Sequence, residues 1–465
     1  MRRSVWVALL LAIGCLVAQA LDFESFLAEV KKTGVAIQQI DEAVVWAGPY
    51  GGMIKPFGPL AGKKIGILAA CDFSDWQAYY LAAYIGEFGG TPQFILNNNH
   101  LWKVSRYLFG SGTPVEPTGK WGLTLTAGMS GMGYIGTRVL PPVLLKEGAG
   151  HVANLPVANP NDYDALIILG GWSGDILYAD DIAIDFIKKV VDRKIPIAAI
   201  GEGILPLIKL GVVNGRKATG NVFVSYMLRQ VADFLNEPVV VDGNLITARD
   251  TVDVPALLRA LCKVFDPTFV DVHKDILKGK RIMVMIADDF EDVEMCVPVL
   301  EFIYRGAEIV IGLFEPYVRT RPGLVGLDVR IGNFGVTVPL QEIPSAYYRL
   351  IKEEDLKMSD FDLLLIPGAM NPLHLVLHAD FLREAYAAGK VIAAICHGPI
   401  PVAAADLVKG RVITGWLASE HAVEIMGGRF MPELAAAIDG RIVTGRTPPE
   451  APEFIDACTA ALLKF

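Results

Sequence analysis

The segment Val391-Ile392-Ala393-Ala394-Ile395-Cys396-His397-Gly398-Pro399 holds the residues best suited to covalent chemistry. Its apolar run predicts a buried strand, and Cys396 falls where that strand must turn into a helix. A sharp strand-to-helix turn exposes a nucleophile, and a small neighbour such as Gly398 relieves crowding. The following helix N-terminus presents unpaired N–H groups and a positive dipole end, both of which favour a thiolate. A lone cysteine after a strand is ordinarily core. The Cys-His-Gly-Pro setting at a strand end argues for a reactive thiol instead, with His397 beside it to move a proton.

The elements that must position this pair recur along the chain. Lys64–Ala69 resembles Arg281–Ile286, and each is followed by a short loop, CDFSDW in one case and DDFEDV in the other. YDALIILGG (163–171) matches FDLLLIPGA (361–369), and KIPIAAIGEG (194–203) matches KVIAAICHG (390–398). GVVNGRKATG (211–220) matches DLVKGRVITG (406–415), and VVVDGNLITAR (239–249) matches AAIDGRIVTGR (436–446). Five blocks in one order mark an internal duplication. The short apolar runs bounded by Gly, Pro or Asp read as parallel strands buried on both faces. Helical patterns lie between them, which predicts an α/β, open, doubly wound sheet in each copy. Ligands in such sheets bind beyond the carboxyl ends of the strands, where DDFEDVE, PGAMNP and ICHGP lie.

The repeat offset is 217 at the first block and 195 to 198 later, so the first copy carries an insertion within residues 97–160. The expected organisation is a signal peptide at 1–20 and an extension at 21–62. A first domain at 63–265, a linker at 266–279 and a second domain at 280–465 follow. Arg2 and Arg3 precede an apolar stretch ending Ala18-Gln19-Ala20, the pattern of a secretory signal cleaved after Ala20, so the mature chain is expected to be secreted or periplasmic. Past that stretch no apolar run reaches the roughly 20 residues of a spanning helix, so no stable membrane insertion is expected after cleavage. The mature chain carries 40 basic against 51 acidic residues, a net of −11. That balance, without a basic cluster, excludes nucleic acid held through its phosphates.

Five cysteines survive cleavage, an odd number that leaves at least one thiol free. No C-x-x-C spacing is present, and Cys262 and Cys458 read as equivalent core thiols. His374 and His378 stand at i,i+4, a spacing that permits metal binding, but HLVLH lacks the glutamate of HExxH. They are expected to be surface or interface histidines, with no metal and no cofactor.

The motifs ADDFEDVE (287–294), Pro367-Gly368, AICHGP (394–399) and DGRIVTGR (439–446) give the second copy a resemblance to the ThiJ/PfpI superfamily, closest to its PfpI branch. The first copy resembles the same superfamily more weakly over 63–262. The resemblance implies two tandem flavodoxin-like domains, related to class I glutamine amidotransferases and packed as a pseudo-dimer, with higher oligomers open. It also places the family's acid at Glu291. The residues alone leave Glu291 as either a pocket acid or one of several acids in its loop. A carboxyl beside a thiolate resists ionisation, so a neutral Glu291 would donate to the sulfur. The family's strand-end Gly-Gly, an oxyanion hole of backbone N–H groups, corresponds to Gly368-Ala369, where alanine is a poorer fit if φ must be positive.

In the PfpI branch a carboxylate from a neighbouring subunit orients the histidine. The matching position is Leu373 in the second copy and Asp175 in the first. The first copy reads Gly201-Glu202-Gly203 at the nucleophile and Ser74 at the acid position. The expectation is one composite site per chain, with Cys396, His397 and Glu291 from the second domain and Asp175 reaching across, unless Asp175 only caps its own helix. The implied activity is attack on a small reactive carbonyl or glycated group, of glyoxalase III or deglycase type. A PfpI-type peptidase acting on peptides, or a non-enzymatic thiol sensor or chaperone, are the alternatives. A glutamine amidotransferase is disfavoured, because no distant His-x-Glu pair is evident.

Overall fold

The computed structural model describes residues 21–47, 54–70, 72–96, 153–319, 328–333 and 335–465. Residues 1–20, where a signal peptide is expected, Cys71 and residues 97–152 of the expected insertion lie outside the described residues.

Each copy folds as predicted. In the first, β3 (Lys64–Ala69), β4 (Thr91–Leu96), β5 (Ala153–Asn154), β6 (Ala165–Ile168) and β7 (Ile197–Ile200) are joined by a hairpin of β8 (Val239–Asp242) and β9 (Leu245–Ala248). The sheet order is β8-β9-β7-β6-β3-β4-β5. In the second, β10 (Arg281–Ile286), β11 (Glu308–Leu313), β12 (Tyr348–Lys352), β13 (Leu363–Ile366) and β14 (Val391–Ile395) meet a hairpin of β15 (Ala436–Asp439) and β16 (Ile442–Gly445). There the order is β15-β16-β14-β13-β10-β11-β12, the same winding. The central strands are buried from end to end, as strands covered on both faces must be. Among the described residues, no helix is long and apolar enough to cross a membrane.

The extension, for which the sequence named no partner, adds to a sheet. Its strands β1 (Ala36–Ile40) and β2 (Ala43–Ala47) join the sheet of the second domain, not the first. β2 pairs antiparallel with β15, Val44 opposite Ile438 and Trp46 opposite Ala436. Helix α1 (Phe23–Lys32) buries Phe26, Leu27 and Val30 and packs on α8 (Ala451–Lys464), the last helix of the chain. From Phe23 onward the chain therefore packs first on the second domain, crosses to build the first, and returns.

Two helices join the domains. α2 (Asp75–Glu87) and α5 (Asp292–Tyr304) follow the first strand of each copy, are buried nearly all round, and pack on each other. A helix buried on nearly every face needs cover on nearly every face, and here each has its own sheet behind it and the other domain in front. One carboxylate is shut inside this seam. Glu301 on α5 accepts hydrogen bonds from Tyr80 on α2 at 2.7 Å and from Arg259 Nη2 on α4 (Val254–Phe265) at 2.6 Å. It also accepts from Arg305 Nε at 3.1 Å. Burial would raise its pKa, yet the Arg259 and Arg305 guanidiniums outweigh burial and hold the carboxyl below its ordinary value. Glu301→Gln leaves two buried guanidiniums under-compensated, so it should cost about 3–5 kcal/mol in a urea melt of the full chain. An unchanged midpoint would remove this cluster from the account of the interface.

Candidate active site

Cys396 stands at the end of β14 with φ +62°, inside the left-handed region that side chains other than glycine avoid. Neighbouring strands and loops hold it there. Its N–H donates to the Gly445 carbonyl at 3.0 Å, and its own carbonyl accepts from Trp416 N–H at 2.9 Å. Such a conformation costs on the order of 1–3 kcal/mol and persists only where the surroundings impose it. Gly398 makes the turn possible, because a Cβ there would lie 2.7 Å from Ile395 N and 2.9 Å from Ile366 O. The helix beyond, α7 (Pro399–Ala404), has six residues, so its dipole is smaller than the sequence pattern suggests.

The sulfur meets His397 Nδ1 at 3.2 Å. Burial lowers the His397 pKa, so the ring is neutral at pH 7 and able to accept a proton. Backbone N–H groups of Ala369 and His397 point at the sulfur. Burial raises the thiol pKa, the Glu294 and Glu291 charges raise it further, and the two N–H groups oppose them.

The acid beside the thiol is Glu294, three residues beyond the expected position. Its side chain hydrogen-bonds with Cys396, and its Oε2 accepts from Gly368 N–H at 2.6 Å. Burial raises its pKa to about 8, against those two hydrogen bonds, so the carboxyl is protonated at neutral pH. Glu291 does different work. It is the N-cap of α5, and its Oε2 accepts the Glu294 N–H at 2.8 Å. It is buried with a raised pKa, from burial first and the Glu294 charge second. The first copy divides these roles in the same way: Ser74-Asp75-Trp76-Gln77 has the Ser-x-x-Gln spacing of a helix start, with the Ser74 N–H donating to the Gly170 carbonyl rather than to Gln77. Ser74, which matches Glu291, does cap α2. Gln77 therefore matches Glu294, and its Oε1 accepts Gly170 N–H at 2.8 Å just as Glu294 accepts Gly368 N–H.

Gly368 is correspondingly not an oxyanion donor, since its N–H is spent on Glu294. Its role is closeness. A Cβ on it would sit 2.6 Å from Glu294 Oε2 and 2.7 Å from Cys396 Cβ. Ala369 does adopt positive φ, +55°, where Gly171 has +73° in the first copy. Alanine is tolerated there despite the strain, and it keeps the N–H aimed at sulfur.

Asp175 does not complete a composite triad. It lies in the first turn of α3 (Ser173–Ala179), a helix that packs on its own domain rather than on the interface. Its pKa is raised by burial and then by the Glu202 charge, both within the first domain. No hydrogen bond or ion pair joins it to His397, which has no carboxylate partner among the described residues. The interface runs through α2 and α5, and this places α3 away from the second domain's strand ends. In the first copy Gly201, φ +51°, keeps the backbone turn of Cys396 without a side chain.

The other candidates fall outside the centre. Cys262, Cys296 and Cys458 are buried free thiols whose pKa values burial pushes up. His374 is buried rather than at the surface, its Nε2 without a hydrogen-bond partner. His378 contacts Glu353 at 2.6 Å and the Glu315 carbonyl at 2.9 Å. No group of three metal-ligating side chains occurs among the described residues.

These placements separate the two acids. Glu294→Gln should lower turnover by about 10²–10³-fold and remove any alkaline limb near pH 8, because the amide cannot pass a proton. Glu291→Gln should cost about 1 kcal/mol of stability as a weakened cap and change turnover only a few-fold. Reversed outcomes in pH–rate profiles of the two variants would return the acid to Glu291.

Comparison with known proteins agrees with this geometry. The DJ-1/PfpI family model matches residues 125–264 and 280–461. Protein DJ-1 homolog D of Arabidopsis thaliana is 30% identical over 312 residues, 64% of this chain and 78% of that protein. Protein/nucleic acid deglycase 2 of Escherichia coli is 30% identical over 179 residues, 38% of this chain and 94% of that one. The Bacillus subtilis protein named "Putative cysteine protease YraA" is 32% identical over 181 residues, with the same two shares. With both copies matched and the cysteine turn built as described, the chain belongs to the DJ-1/PfpI family as a tandem duplication.

Proposed function

We propose that this chain is a cysteine-dependent enzyme acting on reactive carbonyl compounds or glycated groups, with one site per chain in the second domain. The observation that carries this reading is a buried thiol set between a neutral imidazole and a protonated carboxyl. Cys396 adds to an aldehyde carbon while its proton passes to His397, and the carbonyl oxygen takes a proton from Glu294, giving a thiohemiacetal. For a 2-oxoaldehyde, moving the hydrogen from C1 to C2 converts the adduct to a 2-hydroxy thioester. Water then releases the hydroxy acid and restores the thiol, so the net change is addition of one water. The deglycase named among the relatives supports this substrate class. Peptide cleavage is less well served. A leaving amine needs a proton from an imidazolium, and here burial disfavours that form, with no carboxylate among the described residues to stabilise it.

Lactate formation from methylglyoxal by the full chain is the direct test. Cys396→Ala should fall to the uncatalysed rate, and His397→Ala should lose about 10²–10³-fold. Asp175→Asn should match the parent in both rate and pH dependence. Equal lactate production by the parent and Cys396→Ala would discard the reading.

A further inference from the structure

A segment of the second domain between β11 and β12 touches the loops of the thiol centre at one end and the vacated site of the first domain at the other. It opens as two short antiparallel strands, Arg330–Ile331 and Thr337–Val338. These lie against the loop that follows β10. The Asp289 N–H donates to the Ile331 carbonyl at 2.8 Å, and the Asn333 N–H to the Phe290 carbonyl at 2.8 Å. The Val336 N–H donates to Asp292 Oδ1 at 2.7 Å. That loop in turn holds the end of β13. The Asp289 carbonyl accepts from Met370 N–H at 3.0 Å and from Asn371 N–H at 3.2 Å, and Phe290 bridges Ala369. Ala369 is the positive-φ residue whose N–H faces the Cys396 sulfur.

At its other end Glu342 enters a cleft of the first domain lined by Ser74, Gln77, Gly171, Glu202 and Asp250. The Ser74 hydroxyl and the Asp75 N–H, the latter at 3.3 Å, donate to its carboxylate. Asp75 is the first residue of α2, so the positive end of that helix faces the charge. Between the two ends, Val336, Val338, Leu340 and Ile343 are buried in the core that the domains share. Apolar burial holds the segment down but is non-directional, so it does not set how far the segment runs toward either end. Hydrogen bonds do, because their geometry is narrow.

We propose that Glu342 is a positioning residue for Cys396: seated in the first domain, it fixes the segment that sets the Asp289–Asp292 loop, and that loop aims the Ala369 N–H at the sulfur. The inference rests on the reading that Cys396 is the reacting group. The first domain then acts on the thiol without placing a side chain in the site. An N–H aimed at sulfur favours the thiolate, so its loss should make the thiol harder to ionise. A direct effect of the Glu342 charge would have the opposite sign, since removing a carboxylate favours a thiolate.

The test reads the thiol itself. The full chain is alkylated with iodoacetamide across the pH range of thiol ionisation, and the Cys396 peptide is followed by mass spectrometry. Glu342→Ala should raise the pH midpoint by about 0.7 unit, roughly a fivefold loss of rate below the midpoint, the worth of one net hydrogen bond. Glu342→Gln keeps one acceptor oxygen, and its amide can donate to the Ser74 hydroxyl, so it should restore most of the parental midpoint. Ser74→Ala breaks the same contact from the first domain. It should shift the midpoint upward, and adding it to Glu342→Ala should shift it no further. A merely structural role would lower the urea midpoint and leave the thiol midpoint in place. An unchanged or lowered thiol midpoint in Glu342→Ala, or in Ser74→Ala should the first variant not fold, overturns the proposal. So does a Glu342→Gln midpoint as high as that of Glu342→Ala. Alkylation needs no substrate, so a parent that forms no lactate would discard the proposed function and leave this outcome to be read separately.

Discussion

A thiol and a carboxyl held in hydrogen-bond contact away from water share a proton, and most of the second domain's local structure serves that constraint. Two negative charges so close in a buried site would repel strongly, so thiolate formation and a protonated Glu294 belong together. Achieving the contact requires three backbone concessions. Cys396 takes a left-handed conformation, Ala369 does the same, and Gly368 gives up its side chain so that Glu294 and Cys396 can close over it. Each concession sits at the end of a central parallel strand, where neighbouring strands fix the position of the next. The sheet is the rigid frame against which the strain is held.

The duplication was legible in the sequence because apolar strands and Gly-Pro boundaries survive divergence in function. The winding of both sheets, the strand-end placement of Cys396 and the blank at Gly201 all follow from aligned blocks. The carboxyl was misplaced by three residues because both Glu291 and Glu294 are acidic and both belong to the same helical turn. Composition could not tell a cap from a proton donor. Geometry can, since an N-cap side chain must fold back to its own helix while the residue at N3 looks outward over the strand end. Asp175 was misassigned for a different reason. Sequence alignment gives a position within one copy, but not which faces of two copies meet.

The extension shows the same limit from another side. Nothing in Ala36–Ile40 or Ala43–Ala47 names the sheet it will join. Alternating or continuous apolar residues fit any free edge, and the choice of β15 depends on which edge remains open once both domains are packed. By covering that edge and the face of α8, residues 21–47 are held to the last helix of the second domain.

The first domain has lost the thiol, the histidine and the acid, yet it retains the turn of the lost site. Gly201 keeps positive φ, and Gln77 keeps the hydrogen bond to Gly170 that Glu294 makes to Gly368. Ser74 N–H donates to the Gly170 carbonyl and Gln77 accepts from Gly170 N–H, so this strand end fixes the start of α2, and α2 is the surface on which α5 lies. Glu342 of the second domain also reaches into the vacated site, where the Ser74 hydroxyl and the Asp75 N–H donate to its carboxylate. The second domain thus uses the empty site as an anchor. With α2 removed, the buried apolar residues of α5 would face water on one side, and the helix that carries Glu294 would lose its backing. A domain without catalytic groups is retained, on this argument, because the live centre is built on a helix that cannot stand alone.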